Sequence, residues 1–199
     1  MIKYCYPGLG VYSKGPWYIW ADPTRSLSDQ EEQWDESLEY VAKFCNENGP
    51  FDGVYGFSQG SAMITNFSHP KIWKERFHMK CCPWNFAILA CGGASQYLTI
   101  TKGMNIEMPS FHIFGKKDYL LADSKKIADY WDPAQKATHT HGGGHEISVQ
   151  MSVTEKEMIA KLNIFLDERL SSKKAGNGIL SKFSMPEFYL LGRTFGDSS

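Results

Sequence analysis

The sequence predicts an α/β fold, a mostly parallel sheet flanked by helices. Three observations carry this. Short β-prone or apolar runs alternate with stretches of helical periodicity, the pattern of parallel strands joined by crossover helices. Two of the runs, Phe86–Cys91 and Phe111–Phe114, lack alternation, as expected of strands buried on both faces. Finally, Gly56-Phe57-Ser58-Gln59-Gly60 sits between such a strand and such a helix.

Taken in order, Ile2–Tyr6 is short, β-prone and ended by Pro7-Gly8, which reads as a strand. Gly8–Arg25 holds Gly, Pro, Trp17, Tyr18 and Trp20 and reads as an irregular, partly buried loop. Trp34, Leu38, Val41, Ala42 and Cys45 then fall on one helical face, with Ser28 and Glu31 offering a capping box and Asn48-Gly49-Pro50 a stop. Phe51–Phe57 suits a buried strand, and Gln59–Phe67 a helix. The run Phe86–Cys91 ends at Gly92-Gly93, and Phe111–Phe114 at Gly115. Ser124–Trp131 reads as a helix and Thr138–His141 as a last strand ended by three glycines. Val153–Leu170 carries Met158, Ile159, Leu162, Phe165, Leu166 and Leu170 on one face, with Ser152 and Glu155 as its capping box. Residues 1–170 are expected to form one domain, and Ser171–Gly178 to open a partly ordered tail over 171–199.

Composition narrows the function. The 21 Lys and Arg nearly balance 22 Asp and Glu, so the chain lacks the basic surface that phosphate neutralisation requires, and nucleic acid is not expected as a partner. The longest strongly apolar stretch, Phe86–Cys91, is far short of a membrane span. The start, MIKYCYPGLG, has no apolar core of a signal peptide. The five cysteines therefore read as reduced thiols of a cytoplasmic or nuclear protein, with Cys45 and Cys91 in the core and Cys81-Cys82 in a loop.

Parallel sheets place their chemistry at the carboxyl ends of strands, and three strand ends stand out. Ser58 lies in a G-x-S-x-G turn, where glycines let strand and helix approach and the helix N-terminus favours developing negative charge. The backbone N–H of Gln59 is the expected oxyanion donor. The alternative is a glycine-rich turn with a capping serine. Asp118 follows the strand Phe111–Phe114 and is placed to orient an imidazole, or simply to cap a helix. His145 follows Gly142-Gly143-Gly144, a loop able to bring it to Ser58 as general base. The rival there is a metal site, because His139, His141 and His145 form H-x-H-x-x-x-H. Together the three strand ends give the order Ser, Asp, His, which is that of α/β-hydrolases.

These residues also carry a family resemblance. Gly49–Gly60 resembles the nucleophile segment of the family of serine hydrolases that includes ovarian-cancer-associated protein 2 and the yeast family of serine hydrolases. Ser110–Asp118 resembles its acid segment, Thr140–Ile147 its G-G-H loop, and Trp17–Trp20 an aromatic stretch upstream of the nucleophile helix. The similarity spans roughly Met1–Leu170. It implies an α/β-hydrolase fold, hydrolysis of aliphatic acyl esters, and Ser58, Asp118 and His145 as nucleophile, acid and base. No cofactor or resident metal is expected.

The family normally opens with a strand and a His-Gly loop that gives a second oxyanion N–H, and no such segment precedes Ile2 here. The expectation is therefore an N-terminally truncated member with one oxyanion donor, Gln59 N–H, and an unpaired edge beside Gly53–Phe57. Two other readings stand beside the esterase: a thioesterase using the same triad, and a non-catalytic remnant that binds an acyl ligand or a protein partner. Oligomeric state is not legible in the sequence.

Overall fold

In the computed structural model, which describes residues 4–5, 26–93, 96, 98, 105–147 and 153–174, five strands pair in parallel in the order in which they occur. They are β1 (Tyr4–Cys5), β2 (Gly53–Phe57), β3 (Ala87–Ala90), β4 (Ser110–Gly115) and β5 (Lys136–His141). The helices are α1 (Leu27–Asn48), α2 (Gln59–Ser68), α3 (Leu121–Ala128) and α4 (Val153–Lys174). The chain divides into two compact units; residues 2–147 hold the sheet, α1–α3 and every candidate site residue, and the second unit holds α4.

Register decides which side chains share a face. Val54 pairs with Ala87, and Leu89 with His112, so Val54, Ala87, Leu89 and His112 lie on one side. That side joins the main core, in which Trp34, Leu38 and Val41 of α1, Ile64 and Phe67 of α2, and Ile127 of α3 are all buried. Each such side chain contributes on the order of 1.5–3 kcal/mol by leaving water. The alternate residues Tyr55, Ile88, Phe111 and Ile113 lie on the opposite face.

The structure revises several sequence expectations. β1 pairs Tyr4 with Gly53 and Cys5 with Val54, so the edge of β2 is covered at these two residues rather than open. The β-prone start of the chain thus takes the place beside β2. The cap of α1 is Ser26, whose Oγ accepts the Asp29 N–H at 3.1 Å, two residues before the expected Ser28. Ser28 instead shares a 3.0 Å hydrogen bond with Ser26 Oγ. A π-helical turn over Lys71–Arg76, closed by Phe77 N–H donating to Ile72 O at 3.1 Å, has no counterpart in the sequence periodicity. α3 begins at Leu121 rather than Ser124, and α4 continues through Ser171–Lys174, where the composition predicts a linker. Within α4 the Arg169 guanidinium lies 5.1 Å from the Phe165 ring centroid. The loop Gly8–Arg25, the Ser152 cap and the tail beyond Lys174 lie outside the described residues.

Candidate active site

One residue, Ser58, makes the turn from β2 into α2, at φ 55° and ψ −124°. An L-residue there is strained by something like 1–3 kcal/mol. Close packing holds it in place. Ser58 N–H donates to Ala90 O at 3.0 Å, and Ser58 O accepts N–H bonds from Ser61 at 3.0 Å and Gly93 at 3.1 Å. Ser61 Oγ donates to Gly56 O at 3.0 Å, tying strand to helix. A Cβ on Gly56 would stand 2.8 Å from the Gly60 carbonyl, so only glycine permits the approach.

The Ser58 hydroxyl makes no capping bond to α2. It lies 2.9 Å from His145 Nε2 instead. His145 Nδ1 in turn lies 3.0 and 3.1 Å from the two Asp118 carboxylate oxygens. With the proton on Nδ1 donated to Asp118, Nε2 is free to accept the serine proton. The three strand ends singled out in the sequence thus meet in one hydrogen-bonded chain. The Asp118 side chain is fully buried, and 18% of the His145 side chain is exposed. Asp118 also serves its own loop, because Oδ1 accepts the Leu120 N–H at 2.8 Å.

The loop carrying His145 is pinned to the loop carrying Asp118 by backbone hydrogen bonds. Lys116 N–H donates to His141 O at 2.9 Å, and Lys117 N–H to Gly143 O at 2.8 Å. The rings of Phe57 and Tyr119 lie 4.9 and 5.1 Å from the imidazole, and Tyr119 is an exposed aromatic beside the site. Gln59 N–H belongs to the first turn of α2, where no intrahelical carbonyl reaches it. Gly93 N–H also lies nearby but is already engaged by Ser58 O.

The three histidines of H-x-H-x-x-x-H do not converge. His139 and His141 are buried on one face of β5, and His141 Nδ1 accepts the Gly143 N–H at 3.1 Å. His145 turns away to Asp118. Among the described residues the group able to hold a metal is a different one, Cys91, Asp118 and His145, whose ligand atoms lie within 4.8 Å of one another. The sequence places Cys91 simply in the core. It follows β3 with φ 47° and sends its thiol to Glu146 O at 3.3 Å. Burial, and then the Asp118 charge, push that thiol up to about 12. Neither Cys91 nor Tyr119 carries a sequence signal that separates it from core or surface.

Comparison with known proteins decides the family. Residues 11–156 match the family model described as Serine hydrolase (FSH1). The chain belongs to this serine hydrolase family. Esterase C25G4.2 of Caenorhabditis elegans is 34% identical over 178 residues, covering 84% of this chain and 76% of the relative. Esterase FPY3 of Fusarium mangiferae is 37% identical over 126 residues, covering 57% of this chain and 54% of the relative. Esterase OVCA2 of Xenopus tropicalis is 31% identical over 146 residues, covering 68% of this chain and 60% of the relative. This chain therefore spans about half to three quarters of these esterases. The fold is a parallel sheet flanked by helices. Among solved structures, a predicted CIB-like hydrolase from Thermoplasma acidophilum aligns with a TM-score of 0.49 at 17% identity, over 68% of this chain and 60% of that one. No helix among the described residues is long and apolar enough to cross a membrane.

Proposed function

We propose that this serine hydrolase family member cleaves carboxylic acyl esters through an acyl-enzyme on Ser58. The observation that carries the proposal is the chain Ser58 Oγ to His145 Nε2 at 2.9 Å and His145 Nδ1 to Asp118 at 3.0 Å. His145 takes the hydroxyl proton as Oγ attacks the ester carbonyl. Asp118 holds the tautomer and stabilises the imidazolium. His145 then returns the proton to the departing alkoxide. Water, deprotonated by the same imidazole, attacks the acyl group, and Ser58 regains its proton as the acid leaves. Gln59 N–H and the α2 N-terminus stabilise the oxyanion. The rings of Phe57 and Tyr119 pack beside the imidazole.

The esterase names of the relatives support an ester as the substrate. A thioester presents the same carbonyl, and a matched panel of oxygen and sulfur esters separates the two. Cys45, Cys81, Cys82 and Cys91 are free thiols, which suits a reducing cytoplasm or nucleus. The test is a fluorophosphonate probe. It is expected to label the wild-type chain and leave Ser58→Ala unlabelled. Equal labelling of both removes Ser58 as nucleophile, and no labelling of a folded wild-type chain removes the serine mechanism.

A further inference from the structure

Cys91 stands against the Asp118–His145 pair without a place in the mechanism. Its Sγ, the Asp118 carboxylate and a His145 ring nitrogen lie within 4.8 Å of one another. The sulfur is further surrounded by the carbonyls of Glu146 at 3.3 Å and Gly144 at 3.9 Å, and by His141 Nε2 at 3.9 Å. We infer that Cys91, Asp118 and His145 form an inhibitory site for a borderline-soft divalent cation such as zinc or cadmium, which binds behind the imidazole and locks it in the unproductive tautomer.

The donor set favours such ions. A thiolate, an imidazole nitrogen and a carboxylate suit zinc and cadmium, whereas magnesium prefers oxygen donors and retained water. One thiolate and one carboxylate also balance the charge of the ion, which matters in a buried place. Donor atoms around a tetrahedral zinc stand roughly 3.3–3.8 Å apart, so the group closes on an ion by a shift of about 1 Å. His141 supports the thiolate. Its Nδ1 accepts the Gly143 N–H at 3.1 Å, which leaves the ring proton on Nε2, facing Cys91 Sγ. A hydrogen-bond donor beside a metal-bound thiolate fixes its orientation. The partly exposed His145 imidazole offers the way in, since 18% of that side chain meets solvent.

The binding step balances with one proton lost. The ion takes the Cys91 sulfur, whose proton goes to solvent, and one Asp118 oxygen that was accepting from Nδ1. It also takes the Nδ1 lone pair, so the ring proton moves from Nδ1 to Nε2. Nε2 then faces Ser58 Oγ as a donor, and no base remains for the serine proton. No electron changes hands. The inhibition rests on the proposed role of His145; the binding site does not.

The test titrates the full chain with zinc, with cadmium and with magnesium as control. It reads ester turnover and, separately, the ultraviolet thiolate-to-cadmium absorption. Cys91→Ser keeps the shape without the soft donor. Cys91→Gly is a second variant that suits the φ of 47° should the serine variant fold poorly. The expected result is that zinc and cadmium inhibit the wild-type chain, magnesium does not, and a chelator restores turnover. In either Cys91 variant the inhibitory concentration should rise at least about tenfold, since even outer-shell losses weaken metal sites by roughly 10–100-fold. The cadmium band should fall by the contribution of Cys91. Equal inhibition of wild type and variants, or a band unchanged by the substitutions, overturns the site. Binding at Cys91 without inhibition overturns the tautomer step. If the wild-type chain turns over no ester, the hydrolase reading fails, and the cadmium band still decides whether the metal site exists.

Discussion

A Cβ placed on Gly115 would run into the carbonyl oxygen of Gly144. The end of β4 is thereby pressed against the loop that carries His145. The hydrogen bonds from Lys116 and Lys117 to His141 and Gly143 keep the two segments in step. Gly115→Ala must push the loops apart. Overpacking of this kind costs roughly 1–3 kcal/mol, and misplacing a catalytic group by about 1 Å costs on the order of 10²-fold in rate. Urea unfolding and ester turnover should show both losses. Full turnover in a normally stable variant would mean that this contact does not position His145.

The Ser58 backbone sets a second, opposed pair of effects. Its φ of 55° is unfavourable for any L-residue and suits glycine. Ser58→Gly should therefore be inactive yet more stable than wild type by about 1 kcal/mol, while Ser58→Ala should be inactive without that gain. Thermal melting of the three chains checks this. Equal melting of the Ala and Gly variants would show that the turn holds little strain.

Asp118→Asn should leave the fold largely intact, because the amide oxygen still accepts the Leu120 N–H, now bonded to Oδ1 at 2.8 Å. It should lower turnover by roughly 10⁴-fold by disturbing the imidazole tautomer. A loss below tenfold in steady-state hydrolysis of an aryl ester would remove Asp118 from the acid role.

Acid should weaken the first unit through His112. Burial, and secondarily Lys136, push this imidazole down to about 3, while Ser110 Oγ at 3.0 Å and the Trp131 ring at 5.7 Å enclose it. The unfolded chain binds the proton near pH 6.5. The native state therefore has its full contribution above about 6.5, loses it as the pH falls, and reaches the limit near 3. The slope is at most about 1.4 kcal/mol per pH unit. Unfolding free energies of wild type and His112→Gln between pH 4 and 7 should show a shallower fall in the variant. Parallel curves would assign acid sensitivity elsewhere.

The sequence made the sheet and the three strand ends legible for a physical reason. Ser58, Asp118 and His145 each follow a run that ends in glycine or a turn, and a parallel sheet carries all such ends to one edge. The part that stayed hidden depends on distance in space. Cys91 sits in a buried apolar run just as Cys45 sits in a buried helix face, and only the adjacency of β3 and β4 brings it to Asp118. The helix cap was ambiguous because Ser26 and Ser28 each have an acidic residue three positions on. The covered edge of β2 depends on a pairing of just two residues, too short for periodicity to reveal.

The most direct measurement is ester turnover together with peptide mass mapping of the acylated chain, for wild type and Ser58→Ala. The account predicts that wild type hydrolyses an aryl ester, that a slow-deacylating ester leaves its acyl mass on the peptide holding Ser58, and that Ser58→Ala loses both. Hydrolysis that persists in Ser58→Ala, or acyl mass on a peptide without Ser58, contradicts it.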